Sequence, residues 1–399
     1  MILVHDPHAA PPPRERLREA LGPAGRARVQ DYLAACPRHR PTPLVALPGL
    51  AARLGLGALF VKDEGQRLGL GSFKALGGAY AVMRLVIAAA EAALGRTLRP
   101  EELQSEAVRL VAAGMTMACA TDGNHGRSVA AGARLAGCRS VVFVHQGVSQ
   151  ARADAIAGFG AEIRRVAGSY DDSVVEAARQ AAAQGWTVVS DTSWEGYEDI
   201  PLDVMQGYTV LAGEAFDALP DAPTHIVLQA GVGGLAAAVA MHASEVYGPR
   251  APRIVVVEPA RAACLLASAR AGRPTVVPHD EPTVMAMLEC YEPSRLAFEI
   301  LAARAHAFVA APEERAVEAM RALALPQDGD PAIVAGESGG AGLAGLLECL
   351  ADEKASAALG LGPDARVLLV VSEGATDPAL YARLTGLDPR SVATPKVSP

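Results

Sequence analysis

Three segments of this chain hold residue types that could do chemistry. In Gly69-Leu70-Gly71-Ser72-Phe73-Lys74-Ala75-Leu76-Gly77-Gly78 a lysine stands at the mouth of a stretch, 75–86, that is nearly free of charge. Such a lysine either snorkels its ammonium outward or is kept as a nucleophile. The start of a helix disfavours an ammonium, so a lowered pKa is expected for Lys74, which suits imine formation. In Thr121-Asp122-Gly123-Asn124-His125-Gly126-Arg127 an Asp, an Asn, a His and an Arg crowd around glycines. Asp122 as a helix N-cap and His125 as a structural hydrogen-bonder would account for part of this loop but not for the whole cluster. The third segment, Ala230-Gly231-Val232-Gly233-Gly234, follows an apolar run at 226–229 and precedes an Ala-rich run from Leu235. A strand, a glycine loop and a helix N-terminus form a cup for a phosphate, because the first amides of the helix are unpaired donors. A tight turn needing positive φ explains the same glycines, and both readings stand on this loop alone. No Lys-Ser/Thr follows, which excludes a Walker-type loop. Glu258, 24 residues after Gly234 (258 − 234), keeps a dinucleotide site open as a competitor.

These segments need a frame. Short β-branched runs alternate with Ala-rich stretches from residue 58 onward. Strands are predicted at 59–62, 117–121, 140–144, 162–166, 187–190, 225–229, 253–258, 307–309 and 367–372. Helices are predicted at 73–94, 127–136, 150–159, 173–184, 199–218, 235–247, 262–271, 312–323 and 340–348. This alternation predicts an α/β fold with mostly parallel sheets flanked by helices. Ligands of such folds sit beyond the carboxyl ends of strands, where all three segments fall. The first 40 residues, rich in Pro and Arg, are expected to form an arm with one helix, at 15–21 or 26–35.

The chain has 399 residues, enough for two domains, with 51% apolar and 20% charged residues. Lys plus Arg is 36 and Asp plus Glu is 44, a net charge of 36 − 44 = −8, which speaks against binding nucleic acid or an anionic membrane. No transmembrane helix or secretory signal is expected. The six cysteines form no CxxC pair, so neither a disulfide scaffold nor a metal site is expected, and a cytoplasmic location is the default. Cys264 and Cys290 could lie near each other, which spacing alone does not settle.

Ser72-Phe73-Lys74, Gly123-Asn124-His125-Gly126 and Gly231-Val232-Gly233-Gly234 occur in the order found in fold-type II pyridoxal phosphate enzymes, the group of tryptophan synthase β and threonine dehydratase. Five stretches, Ala75–Tyr80, Ala120–Arg127, Asp191–Tyr197, Gly336–Gly340 and Glu373–Pro378, resemble the diaminopropionate ammonia-lyase family, and the likeness runs from about residue 40 to residue 380. Where dehydratases and racemases of this fold usually carry a serine, this chain has Asp122. A carboxylate there is a stronger base than a hydroxyl and favours a cationic group on the substrate.

The resemblance implies a large domain of 1–75 plus 205–399, a small domain of 76–204 and pyridoxal 5'-phosphate in the cleft between them. Lys74 would hold the coenzyme as an imine, flanked by Phe73. The amides of Gly231, Val232, Gly233, Gly234 and Leu235 would hold its phosphate. Asn124 would bond the phenolic oxygen, and Ser372 would face the pyridine nitrogen. Lys74 would take the α-proton of an L-substrate and Asp122 that of a D-substrate, while Asp191 would bind the β-ammonium of 2,3-diaminopropionate. The products would be pyruvate and ammonia, and a homodimer is implied. One departure stands out: Met287, Glu289 and Tyr291 replace small residues of a substrate-side segment. β-Elimination, β-replacement or racemisation of another β-substituted amino acid therefore stays open. A nucleotide-binding protein with an exposed Lys74 is a third reading.

Overall fold

The computed structural model describes residues 1–34, 36, 38–121, 123–327 and 329–392. Its strands are β1 (Ile2–Val4), β2 (Leu44–Ala46), β3 (Ala58–Asp63), β4 (Thr116–Ala120), β5 (Arg139–His145), β6 (Glu162–Val166), β7 (Thr187–Val188), β8 (His225–Gln229), β9 (Arg253–Pro259), β10 (Ala305–Ala311) and β11 (Arg366–Val371). One sheet of seven runs β1-β10-β9-β8-β11-β3-β2 and one of four runs β6-β5-β4-β7. All pairings are parallel except β1 with β10 and β2 with β3, which cap the two edges of the large sheet. The α/β class with mostly parallel sheets is as the sequence predicts. The large sheet is buried on both faces. Ile226 and Leu228 of β8 enter one core, while Val227 enters the other. Strands buried on both sides must be apolar at every position, which is why β11 reads Val-Leu-Leu-Val-Val from 367 to 371.

Helix Lys74–Leu94 lies between helix Asn124–Ala136 and helix Asp199–Ala218. Its Ala-rich sequence has high helix propensity, and Gly95 at φ 66° ends it with a left-handed cap. Both seams are close. A methyl on Gly207 would sit 2.4 Å from the Leu76 carbonyl oxygen, and one on Gly132 would sit 2.7 Å from the Ala79 Cα. By length and composition this helix could cross a membrane, but most of it is buried inside the protein, as a core helix is.

Two expectations are revised. The N-terminal region forms two helices, Glu15–Leu21 and Pro23–Ala34, and it packs onto helices Asp199–Ala218 and Gly234–Tyr247 instead of standing off as an arm. Leu17, Leu21 and Val29 are fully buried there, at about 1.5–3 kcal/mol each. Helix Asn124–Ala136 begins three residues before the predicted start, which places Asn124 and His125 in its first turn. Gly123, not Asp122, is its N-cap, and Asp122 itself lies outside the described residues.

A buried charge cluster ties the chain before β2 to the body. Arg67 and Glu64 are fully buried and bonded at 2.7 Å. Glu214 bonds Arg67 at 2.6 Å and Lys62 at 2.6 Å. The Lys62 ammonium donates to the Thr42 carbonyl at 2.7 Å, and Arg67 donates to the Arg40 carbonyl at 3.1 Å. Two cations and two anions balance, as buried charges must.

Candidate active site

A cleft opens at the carboxyl ends of β4, β7, β8 and β11 and collects nearly all of the predicted site residues. Lys74 is the first residue of its helix, and the Phe73 amide donates to the Ser372 carbonyl at 2.9 Å, which fixes that helix start to the end of β11. The Lys74 ammonium is paired with the Asp191 carboxylate, the side chains being 21% and 13% exposed. Here the sequence expectation is overturned. Burial and the helix start do disfavour the ammonium, but Asp191 outweighs them, so the Lys74 pKa is raised. In turn, burial favours the neutral acid of Asp191, yet the Lys74 charge holds its pKa below the usual carboxylate range.

Asp191 is held by the residues that follow it. The Tyr197 hydroxyl accepts from the Ser190 amide at 3.0 Å and donates to the Val188 carbonyl at 2.8 Å. Trp194 stacks on the Tyr197 ring at 4.1 Å. The 191–197 stretch therefore acts as a brace for the turn after β7. His125 Nε2–H donates to the Val189 carbonyl at 2.8 Å, which leaves Nδ1 as a lone-pair acceptor 3.9 Å from Asp191. Burial lowers the pKa of this imidazole, so the ring is neutral. The Thr121 hydroxyl accepts from the amides of Gly123 and Gly126 at 3.0 and 3.1 Å and so shapes the loop that carries Asn124.

The glycine loop follows β8 as predicted. Gly231, Val232, Gly233, Gly234 and Leu235 all border the cleft, and helix Gly234–Tyr247 aims its first amides into it. Gly233 needs its missing side chain: φ is 98°, and a Cβ would lie 3.1 Å from Ala297 and Leu265. Glu258 does not serve this loop. It is fully buried and accepts from the Leu265 and Leu266 amides at 2.7 and 2.8 Å, as the cap of helix Cys264–Ala271, so the dinucleotide reading loses its acidic residue.

Asn124 borders the cleft, and its Nδ2 donates to Glu373 at 2.5 Å. Glu373 and Glu337, to which the sequence assigns no role, form a buried pair. Burial first, then the neighbouring carboxylate, pushes Glu337 up to about 8, and burial also raises Glu373. Arg152 approaches Glu337 at 3.5 Å. Ser372 is 3% exposed and borders the same cleft.

Of the three departures, only Met287 borders the cleft, with Leu288 and Cys290. Glu289 is turned away. It accepts from the Tyr291 hydroxyl at 2.7 Å and from the Thr283 amide at 3.1 Å, while His279 stacks on Tyr291 at 4.2 Å. The sulfurs of Cys264 and Cys290 lie on either side of Gly231. Cys264 contacts the Gly231 carbonyl at 3.9 Å, and a methyl on Gly231 would meet the Cys290 sulfur at 2.9 Å. Among the described residues no group of His, Cys, Asp and Glu could hold a metal ion.

The cleft therefore offers one amine, one anion cup, one buried carboxylate beside the amine, and polar atoms that nothing in the described chain satisfies, among them the Tyr208 hydroxyl and His125 Nδ1. That set fits a coenzyme with an aldehyde and a phosphate. The family model described as pyridoxal-phosphate dependent enzyme matches residues 36–373. Diaminopropionate ammonia-lyase of Escherichia coli strain K12 is 40% identical over 362 residues, which cover 89% of each chain.

The chain belongs to the pyridoxal-phosphate dependent enzymes, in the diaminopropionate ammonia-lyase family.

Its coenzyme is pyridoxal 5'-phosphate. Solved structures of the family agree. Selenomethionine holo diaminopropionate ammonia-lyase from Escherichia coli superposes with a TM-score of 0.87 at 36% identity, covering 96% of both chains. The same lyase with an aminoacrylate-PLP azomethine reaction intermediate gives 0.85 at 36% identity over 96% of both.

Proposed function

We propose that this chain eliminates ammonia from 2,3-diaminopropionate, yielding pyruvate and two molecules of ammonia after hydrolysis of the released product. One observation carries the reading: a buried, ionised Asp191 that shares a pocket with the reactive amine. When Lys74 is committed to the coenzyme, this carboxylate needs another cation, and the β-ammonium of diaminopropionate supplies one. The adjacent His125 is neutral and adds no competing charge.

The coenzyme, when bound, supplies an electron sink for the charge left on Cα. The amides of 231–235 would hold its phosphate, Asn124 its ring hydroxyl and Ser372 its ring nitrogen. A hydroxyl at the ring nitrogen does not protonate it, which suits an elimination needing only brief charge storage. Lys74 takes the α-proton of the L-enantiomer. Asp122 would take that of the D-enantiomer. Asp191 holds the β-ammonium, so that nitrogen leaves as neutral ammonia. We further place the domain boundary so that 76–204 forms a small domain and 1–75 with 205–399 a large one. Six cysteines scattered without a CxxC pair support a cytoplasmic setting, and family resemblance supports a homodimer.

A second reading, the same chemistry on another β-substituted amino acid, is favoured by Met287, which narrows the cleft where the family has a small residue. Purified holoenzyme is incubated with each enantiomer of diaminopropionate, and pyruvate is followed by coupled reduction to lactate. Turnover is expected. Absence of pyruvate from either enantiomer, with the coenzyme bound, rejects this substrate.

A further inference from the structure

Tyr208 was not singled out in the sequence. It lies in the middle of helix Asp199–Ala218, between Gly207 and Thr209, where it reads as one more core aromatic. In the fold its ring is 2% exposed and stands edge-on to Phe73, with the centroids 4.7 Å apart. Gly77, one turn beyond Lys74, makes room for it: a methyl there would sit 2.5 Å from Tyr208 Cε1. The other edge of the ring faces the anion cup, with Cε2 3.9 Å from where a methyl on Gly234 would be. Tyr208 thus bridges the helix of the reactive lysine and the start of helix Gly234–Tyr247, and it borders the cleft.

Packing explains the ring but not the hydroxyl, since phenylalanine would make the same apolar contacts. That hydroxyl is buried, and among the described residues nothing donates to it or accepts from it. Buried phenols of this kind normally find a partner. The nearby Lys74 and Asp191 are engaged with each other. Burial keeps the phenol protonated, hence a donor.

We infer that the Tyr208 hydroxyl donates a hydrogen bond to the coenzyme phosphate, completing a cup otherwise made of backbone amides. This rests on the coenzyme assignment and adds to it a side-chain ligand for the phosphate. Tyr208→Phe removes the hydroxyl and keeps the ring. Apoenzyme of wild type and variant is titrated with pyridoxal 5'-phosphate and, separately, with pyridoxal, which has no phosphate. Binding is read by absorbance of the complex and by quenching of protein fluorescence. A hydrogen bond to a charged acceptor corresponds to roughly a ten-fold or larger rise in Kd. The expected result is that rise for pyridoxal 5'-phosphate, with pyridoxal affinity unchanged. Retained pyridoxal binding also reports that the variant is folded. An equal loss for both ligands, or no loss for either, overturns the inference. Failure of the wild-type apoenzyme to take up pyridoxal 5'-phosphate overturns the coenzyme assignment instead, and it shows in the wild-type arm before any variant is compared.

Discussion

Asp191→Asn isolates the interaction on which the substrate assignment rests. The carboxylate is 13% exposed, and its cation partner in this structure is Lys74. Two unit charges about 4 Å apart near a protein interior attract by about 4 kcal/mol at an effective dielectric near 20. The amide keeps the shape and one hydrogen bond, so the net loss for a β-ammonium substrate is about 2–4 kcal/mol. That is roughly a 30-fold to 1000-fold fall in kcat/KM for diaminopropionate. A substrate with an uncharged β-substituent, such as β-chloroalanine, brings no such cation and should fall by less than about three-fold. The two values of kcat/KM come from the same coupled pyruvate assay, after absorbance has shown that the variant holds its coenzyme. Equal losses on both substrates would mean that Asp191 serves a step common to all eliminations, and the charge-selection argument would be refuted.

Three further outcomes follow from the geometry. Glu337, pushed up to about 8 from an ordinary 4.5, keeps its proton in the folded state while the unfolded chain loses it, so this group's contribution to stability falls as pH rises from about 4.5 to 8. Glu337→Gln should therefore leave denaturation midpoints unchanged near pH 4.5 and stabilise the protein by on the order of 2–4 kcal/mol at pH 8, with a flat difference across that window counting against the buried pair. Met287→Ala should change kcat/KM for bulkier β-substituents by several-fold, whereas Glu289→Gln, which faces away, should stay within about two-fold of wild type in a substrate panel. Gly233→Ala forces a side chain into φ 98° against Ala297 and Leu265, and it should cost roughly 2–4 kcal/mol in urea unfolding of the apoenzyme while weakening coenzyme uptake.

The parts of the fold legible in the sequence were those with a strong local signal. The buried strands β8, β9 and β11 and the long Ala-rich helix of Lys74 fall within a residue or two of their predicted bounds. The short edge strands β1 and β2 were missed, because three residues carry too little periodicity to register. Helix Arg295–Ala302 was also missed, though its buried face of Leu296, Ala297, Ile300 and Leu301 has the expected spacing. In the site, glycines and a lysine at helix starts were readable because their chemistry is local. The raised pKa of Lys74 was not, since it comes from a carboxylate 117 residues away. The Glu337–Glu373 pair and Tyr208 depend in the same way on long-range juxtaposition, although the glycine at 77 gave a faint sign that something large approaches that helix.

The cluster of Lys62, Glu64, Arg67 and Glu214 bears on how relatives of this chain can diverge. Arg67 pairs with both Glu64 and Glu214, and Glu214 with both Arg67 and Lys62, so any single replacement strands an uncompensated ion in the interior. Viable substitutions there must arrive in concert, and the four positions should drift as one heritable block rather than as independent sites.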